Sequence, residues 1–92
     1  MGAPMVRVQQ TPNPHSLLFH VDAPVTEKRM QQFNTVAEAE GAPLAQALFG
    51  IPGVASIFFM PSSITVSKEA DVDWGGIVPA AEESIRAHFE QS

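Results

Sequence analysis

The chain is expected to fold as a small α+β two-layer sandwich, with a mixed or antiparallel sheet and two helices on one face. Three observations predict this. Val6-Arg7-Val8-Gln9, Ser16 to Val21 and Ile64 to Ser67 alternate apolar and polar residues with the period of two that a half-buried strand requires. Val54 to Met60 is apolar on both sides apart from Ser56, which suits a strand in the middle of a sheet. Two other stretches, around Leu44 to Phe49 and Trp74 to Phe89, space their apolar residues at threes and fours, as a helix facing a core does. The length of 92 residues fits one domain, residues 1–92, burying roughly 60 to 65% of the surface its unfolded chain exposes.

Each element has its own signal. After the first strand, Thr11-Pro12-Asn13-Pro14 removes two backbone donors and disfavours helix, giving a stiff turn. The second strand then places Leu17, Phe19 and Val21 on one side and Leu18 and His20 on the other. Between Thr26 and Glu40 the pattern is ambiguous: Met30, Phe33 and Ala37 keep helical spacing, while Arg29, Gln31 and Phe33 share a strand face. Pro43 fits a first helical turn, and the stripe Leu44, Ala45, Leu48 and Phe49 ends at Gly50, a glycine stop. Strict alternation in the next strand groups Val54, Phe58 and Met60 against Ala55, Ile57 and Phe59. Pro61-Ser62-Ser63 turns the chain into a partner strand. Asp73 stands where a last helix begins, and Gly75, Gly76 and Pro79 predict that its regular part starts late.

Composition excludes several functions. Ten acidic against five basic residues give a net charge of -5, which repels a phosphate backbone, so nucleic acid is not an expected partner. No apolar run is long enough to span a bilayer, so no membrane partner is expected either. The chain has no cysteine, hence no disulfide, no thiolate metal site and no thiol nucleophile. With no secretory leader or Arg-rich transit segment in these residues, the cytoplasm is the expected compartment.

Taken in order, Thr11-Pro12-Asn13-Pro14-His15-Ser16-Leu17-Leu18-Phe19, Pro43-Leu44-Ala45-Gln46-Ala47-Leu48-Phe49-Gly50-Ile51-Pro52-Gly53-Val54, Ile64-Thr65-Val66-Ser67-Lys68 and Asp73-Trp74 form a series of motifs. In this series the chain resembles the N-terminal domain of Nfu/NifU-type iron-sulfur cluster scaffold proteins. It departs in Leu18, where the family commonly has lysine, and in Met60, Ser62 and Ser63, where the family's hairpin commonly has Gly, Asp and Phe. The resemblance implies an extended segment ending near Phe33. It also implies a role in iron-sulfur cluster assembly through protein contacts. Family members often carry a second domain with a Cys-x-x-Cys pair that ligates the cluster, and this chain has no such pair. The expected partner is therefore a cysteine-bearing iron-sulfur scaffold domain or an apo-target protein, with no cofactor held by this chain.

The candidate partner-binding residues are Asn13, His15, Leu18, Phe58 and Phe59. Asn13 and His15 sit in a proline-stiffened turn that presents polar groups at low entropic cost, or that serves only as a turn. Leu18, with whichever of Phe58 or Phe59 points away from the helices, forms an apolar patch suited to a partner. Alternatively the Thr26 to Glu40 segment covers that patch. No serine sits in a Gly-x-Ser-x-Gly elbow, and Gly50-Ile51-Pro52-Gly53 has the wrong spacing for a phosphate cradle, so no enzyme is expected. Two other readings stay open: a small metal-dependent enzyme built from His15, His20 or His88 with carboxylates, and a general interaction domain outside iron-sulfur metabolism.

Overall fold

In the computed structural model, which describes residues 5–22, 25 and 30–90, the extended stretches become five strands. They are β1 (Val6–Gln10), β2 (Ser16–Val21), β3 (Gln31–Phe33), β4 (Val54–Met60) and β5 (Ser63–Lys68). The sheet order is β1-β2-β5-β4-β3 and every neighbouring pair is antiparallel. For two of the four pairs the antiparallel form follows from the connections. Short turns join β1 to β2 and β4 to β5, and a parallel pair would need a crossover of a dozen or more residues.

Register sorts the side chains into two faces. Phe33, Ile57, Val66 and Leu17 stand in one cross-strand row, and Phe59, Ile64 and Phe19 in the next. All seven are buried, with Val21 beside them. Against this face lie α1 (Pro43–Phe49) and α2 (Trp74–Glu90), which contribute Leu44, Ala45, Leu48, Ile77, Ala81 and Ile85 to the same core. A helix of seven residues does not hold itself together in water, so α1 depends on burying its stripe on the sheet. Full burial of one such side chain contributes about 1.5 to 3 kcal/mol.

Four local expectations meet particular outcomes. The ambiguous stretch resolves as the short strand β3, followed by a single 3-10 turn at Ala37–Ala39, while residues 26–29 lie outside the described residues. In β4 the register shifts between Val54 and Ser56, so strict alternation fails there. The bulge moves Val54 off the side of Phe58 and Met60 and onto the core. Gly50 ends α1 with φ of −69°, not in the left-handed region; the glycines that need positive φ are Gly41 at 85° and Gly53 at 97°. Finally, α2 is helical from Trp74 onward, with Pro79 inside it. The carbonyl that Pro79 cannot meet belongs to Gly75, which is exposed with open space around it, so water can satisfy it.

Candidate functional site

The turn between β1 and β2 is built by its own side chains. The Thr11 hydroxyl donates toward the carbonyls of Asn13 at 2.9 Å and Ser16 at 3.0 Å, and accepts from the Asn13 N–H at 3.2 Å. Asn13 Oδ1 accepts from the His15 N–H at 2.9 Å, and the Asn13 carbonyl accepts from the Ser16 N–H at 3.0 Å. Such side-chain-to-backbone bonds are how Thr and Asn specify a turn. The carboxamide oxygen of Asn13 is thus engaged within the loop, leaving its NH2 group and the exposed His15 ring as outward polar groups.

Two further ties lock this loop to the rest of the molecule. The Lys68 N–H donates to the His15 carbonyl at 2.8 Å, and Trp74 Nε1 donates to the Pro14 carbonyl at 3.0 Å. Lys68 Nζ lies 5.8 Å from the centre of the Trp74 ring, within cation-π range. Beside them Gln10, Thr11, Pro12, Asn13, Leu17 and Trp74 border a shallow hollow of about 260 Å³. Trp74 therefore does more than fill a helix face, a role that periodicity alone does not reveal. Trp74→Phe is expected to destabilise the chain by about 1 kcal/mol through the lost indole bond. Urea unfolding followed by circular dichroism checks this, together with faster amide exchange at His15 and Ser16.

The sheet face opposite the helices has a different character. One cross-strand row reads Gln9, Leu18, Thr65, Phe58 and Gln32; a second reads Arg7, His20, Ser63 and Met60. Leu18, Phe58 and Met60 are half-buried among their neighbours on this surface. Among the described residues no helix or strand lies over it. The part of the Thr26 to Glu40 segment that is described runs along the sheet edge as β3 and then turns toward α1, so it leaves these side chains uncovered.

Phe58 and Phe59 accordingly separate. Phe58 belongs to the open face, whereas Phe59 is 4% exposed and meets Phe33 edge-on with ring centroids 5.2 Å apart. Phe59 is corrected from a candidate contact to a core residue, because adjacent strand residues point to opposite faces and its row is the one under the helices. Asn13 and His15 lie in the turn, apart from the Leu18 and Phe58 row, so the five candidates do not form one surface. Met60, Thr65 and Arg7 share the open face and were not singled out from sequence. No signal in the sequence groups them with Leu18, because the grouping follows from register between strands.

The histidines do not converge. His15 lies in the turn, His20 on β2 with Nε2 2.7 Å from Gln9 Oε1, and His88 near the end of α2 edge-on to Phe89. Among the described residues no three of His, Asp and Glu are grouped as metal ligands would be. No helix of the described residues is long and apolar enough to cross a membrane.

Comparison with known proteins agrees with this architecture. The family model described as the scaffold protein Nfu/NifU N terminal matches residues 6–92. A human mitochondrial iron-sulfur cluster scaffold homolog is 45% identical over 85 residues, covering 91% of this chain and 34% of that protein. Mitochondrial NifU-like protein 4 of Arabidopsis thaliana is 40% identical over 74 residues, covering 80% of this chain and 26% of its own length. The chain thus spans about a quarter to a third of these relatives. Among solved structures, the solution structure of a NifU-like protein from Saccharomyces cerevisiae has a TM-score of 0.86 at 21% identity, covering 98% of this chain and 82% of that one. A crystal structure of a Staphylococcus aureus protein gives 0.75 at 23% identity, covering 86% and 95%. At these identities the structural likeness speaks for the fold.

The relatives' names also correct the expected compartment. The human protein and two Arabidopsis proteins are named as mitochondrial, which overturns the cytoplasmic expectation. That expectation rested on what the first residues lack, and a targeting segment is separate from the domain that folds. With the motif order, the two-layer architecture and a family match running from β1 through α2 all in agreement, the chain belongs to the Nfu/NifU scaffold N-terminal family.

Proposed function

We propose that this domain is a non-enzymatic docking module in iron-sulfur cluster assembly or delivery, bringing a cysteine-bearing scaffold domain or an apo-target protein to a cluster that it does not itself ligate. The observation that carries this reading is the open sheet face. Leu18, Phe58 and Met60 sit on it uncovered among the described residues, while the opposite face is filled by both helices. A two-layer α+β domain needs one apolar face for its own core. Apolar groups on the second face contribute nothing to that core and suit a partner that buries them.

Chemistry assigns the division of labour. Iron-sulfur clusters are held mainly by cysteine thiolates, and this chain has none. The names of the relatives, which call them iron-sulfur cluster scaffold and NifU-like proteins, support the same setting. The stiff Thr11 to Ser16 loop, with the His15 ring and the Asn13 NH2 outward, adds a second contact region at the sheet's edge.

The test is an NMR titration of the chain with a Cys-x-x-Cys scaffold domain of the family. Shifts are expected at Leu18, Phe58 and Thr65, with smaller ones at His15, and none at Glu82 or Glu83 on α2. Absence of shifts at saturating partner sinks the docking reading. In parallel, anaerobic iron and sulfide added to the chain alone are expected to give no cluster absorption.

A further inference from the structure

The sheet has two edges, and β1 is the longer one. β3 has only three residues, whereas β1 has five, with no proline and no bulge to stop a further strand from adding. Register fixes which backbone groups of β1 are free. The Asp22 N–H donates to the Met5 carbonyl at 3.0 Å, so Met5, Arg7 and Gln9 turn their N–H and C=O toward β2. Val21, opposite Val6, instead donates away from β1, to the Ser62 carbonyl at 3.0 Å. Val6, Val8 and Gln10 therefore aim their N–H and C=O outward, and among the described residues none of these groups is paired. The Val8 side chain shares the helix side of the sheet with Phe19, yet it is 38% exposed.

We infer that this edge pairs with a second copy of itself: β1 lies antiparallel to β1 of another chain, about a two-fold axis at Val8. The strand's own pattern argues for that occupant. With Val8 opposite Val8, Val6 faces Gln10 of the second copy and Gln10 faces Val6, so every outward N–H meets an outward C=O. Arg7 then stands opposite the neutral Gln9. Moving the axis to Arg7 sets two guanidiniums against each other, which is destabilising, and leaves Gln10 opposite no residue of β1. Moving it to Gln9 sets Val6 opposite Pro12, which has no N–H. Only the axis at Val8 satisfies all the outward groups and keeps like charges apart. There the two half-exposed Val8 side chains also cover each other. Because the axis runs through the sheet, both helix layers fall on one side and both open faces on the other. The dimer thus presents two docking faces side by side, a geometry that favours a bivalent partner.

A five-residue edge buries less than a standard interface, so a dissociation constant on the order of 0.1 mM is expected. Two chains of net charge -5 repel, so pairing should tighten about threefold between ionic strengths of about 0.01 and 0.15 M. The experiment is amide hydrogen exchange of the whole chain at the higher salt, at concentrations about tenfold below and above that constant. Exchange at Val6, Val8 and Gln10 should slow about fourfold at the higher concentration, while Arg7 and Gln9, already bonded to β2, stay unchanged. A mixture of labelled and unlabelled chain should show a contact between the Arg7 and Gln9 Hα atoms, which one strand holds about 7 Å apart. Val8→Pro removes an outward donor that an edge strand can spare, and should abolish the dimer while circular dichroism stays unchanged. Val8→Lys sets two cations at the axis and should do the same; it replaces the proline variant if that one fails to fold. Sedimentation as a monomer at the higher concentration overturns the inference, as does equal slowing at all five residues. So does a dimer that survives Val8→Lys, whether or not Phe58→Ser breaks it. None of these readouts uses a docking partner, so failure of the docking proposal leaves the pairing standing.

Discussion

Phe58→Ser is expected to weaken docking of a Cys-x-x-Cys scaffold domain about a hundredfold while the chain stays folded. The hundredfold corresponds to about 3 kcal/mol, the range of a large side chain at the centre of an interface. Phe58 occupies that place because its row puts Thr65 on one side and Gln32 on the other, with Leu18 one strand beyond Thr65. Serine removes the ring without adding a charge, so the loss reports apolar contact rather than repulsion. The fold survives because the removed atoms face away from α1 and α2. Phe59→Ser, one residue along, is the contrast: it empties the site edge-on to Phe33 and should unfold the chain. Near-ultraviolet circular dichroism of Trp74 separates the two outcomes. Glu83→Ser on α2 should leave docking unchanged. Equal affinity of Phe58→Ser and wild type would remove the open face as the contact.

Gly53→Ala is expected to destabilise the fold by about 3 kcal/mol, of which a left-handed backbone accounts for about 1 to 2 and overpacking for the rest. Gly53 has φ of 97°, and a Cβ there would stand 2.5 Å from Val72 Cγ1. Its carbonyl also accepts the Glu69 N–H at 2.8 Å, so the backbone cannot swing away without breaking the tie between the start of β4 and the chain after β5. Gly41 is the internal control. With φ of 85° and nothing within 4 Å of the point where a Cβ would stand, Gly41→Ala should cost only the backbone strain. Guanidinium unfolding of both variants checks the difference. Adding Val72→Ala to Gly53→Ala should recover part of the loss; no recovery would show that the clash is not its source.

Most of the core was legible because a period of two or of three to four needs only local residues to be read. Leu17, Phe19 and Val21, or Leu44, Ala45 and Leu48, declare their shared face wherever the element ends up. The candidate site was less legible. Period alone says that Phe58 and Phe59 point opposite ways, but which of them meets the helices depends on the side to which α1 and α2 return. The bulge at Val54 and Ser56 was hidden for a related reason, since an extra residue shows only when a partner strand supplies the opposing count. Trp74 read as another apolar helix residue until the chain brought Pro14 to its indole nitrogen, 60 residues away in sequence.

By itself, the sequence determined the elements other than β3, the 3-10 turn and the start of α2, together with the turn chemistry of Thr11 to Ser16, the absence of thiolates and the family, because each is a property of neighbouring residues or of composition. Tertiary structure alone decided the strand order, which of Phe58 and Phe59 meets the helices, and the gathering of Leu18, Phe58, Met60 and Arg7 on one surface that no described helix or strand covers. The reason is that a sheet face is assembled from register between strands distant in sequence, and register is set only when the helices commit one side of every strand to the core.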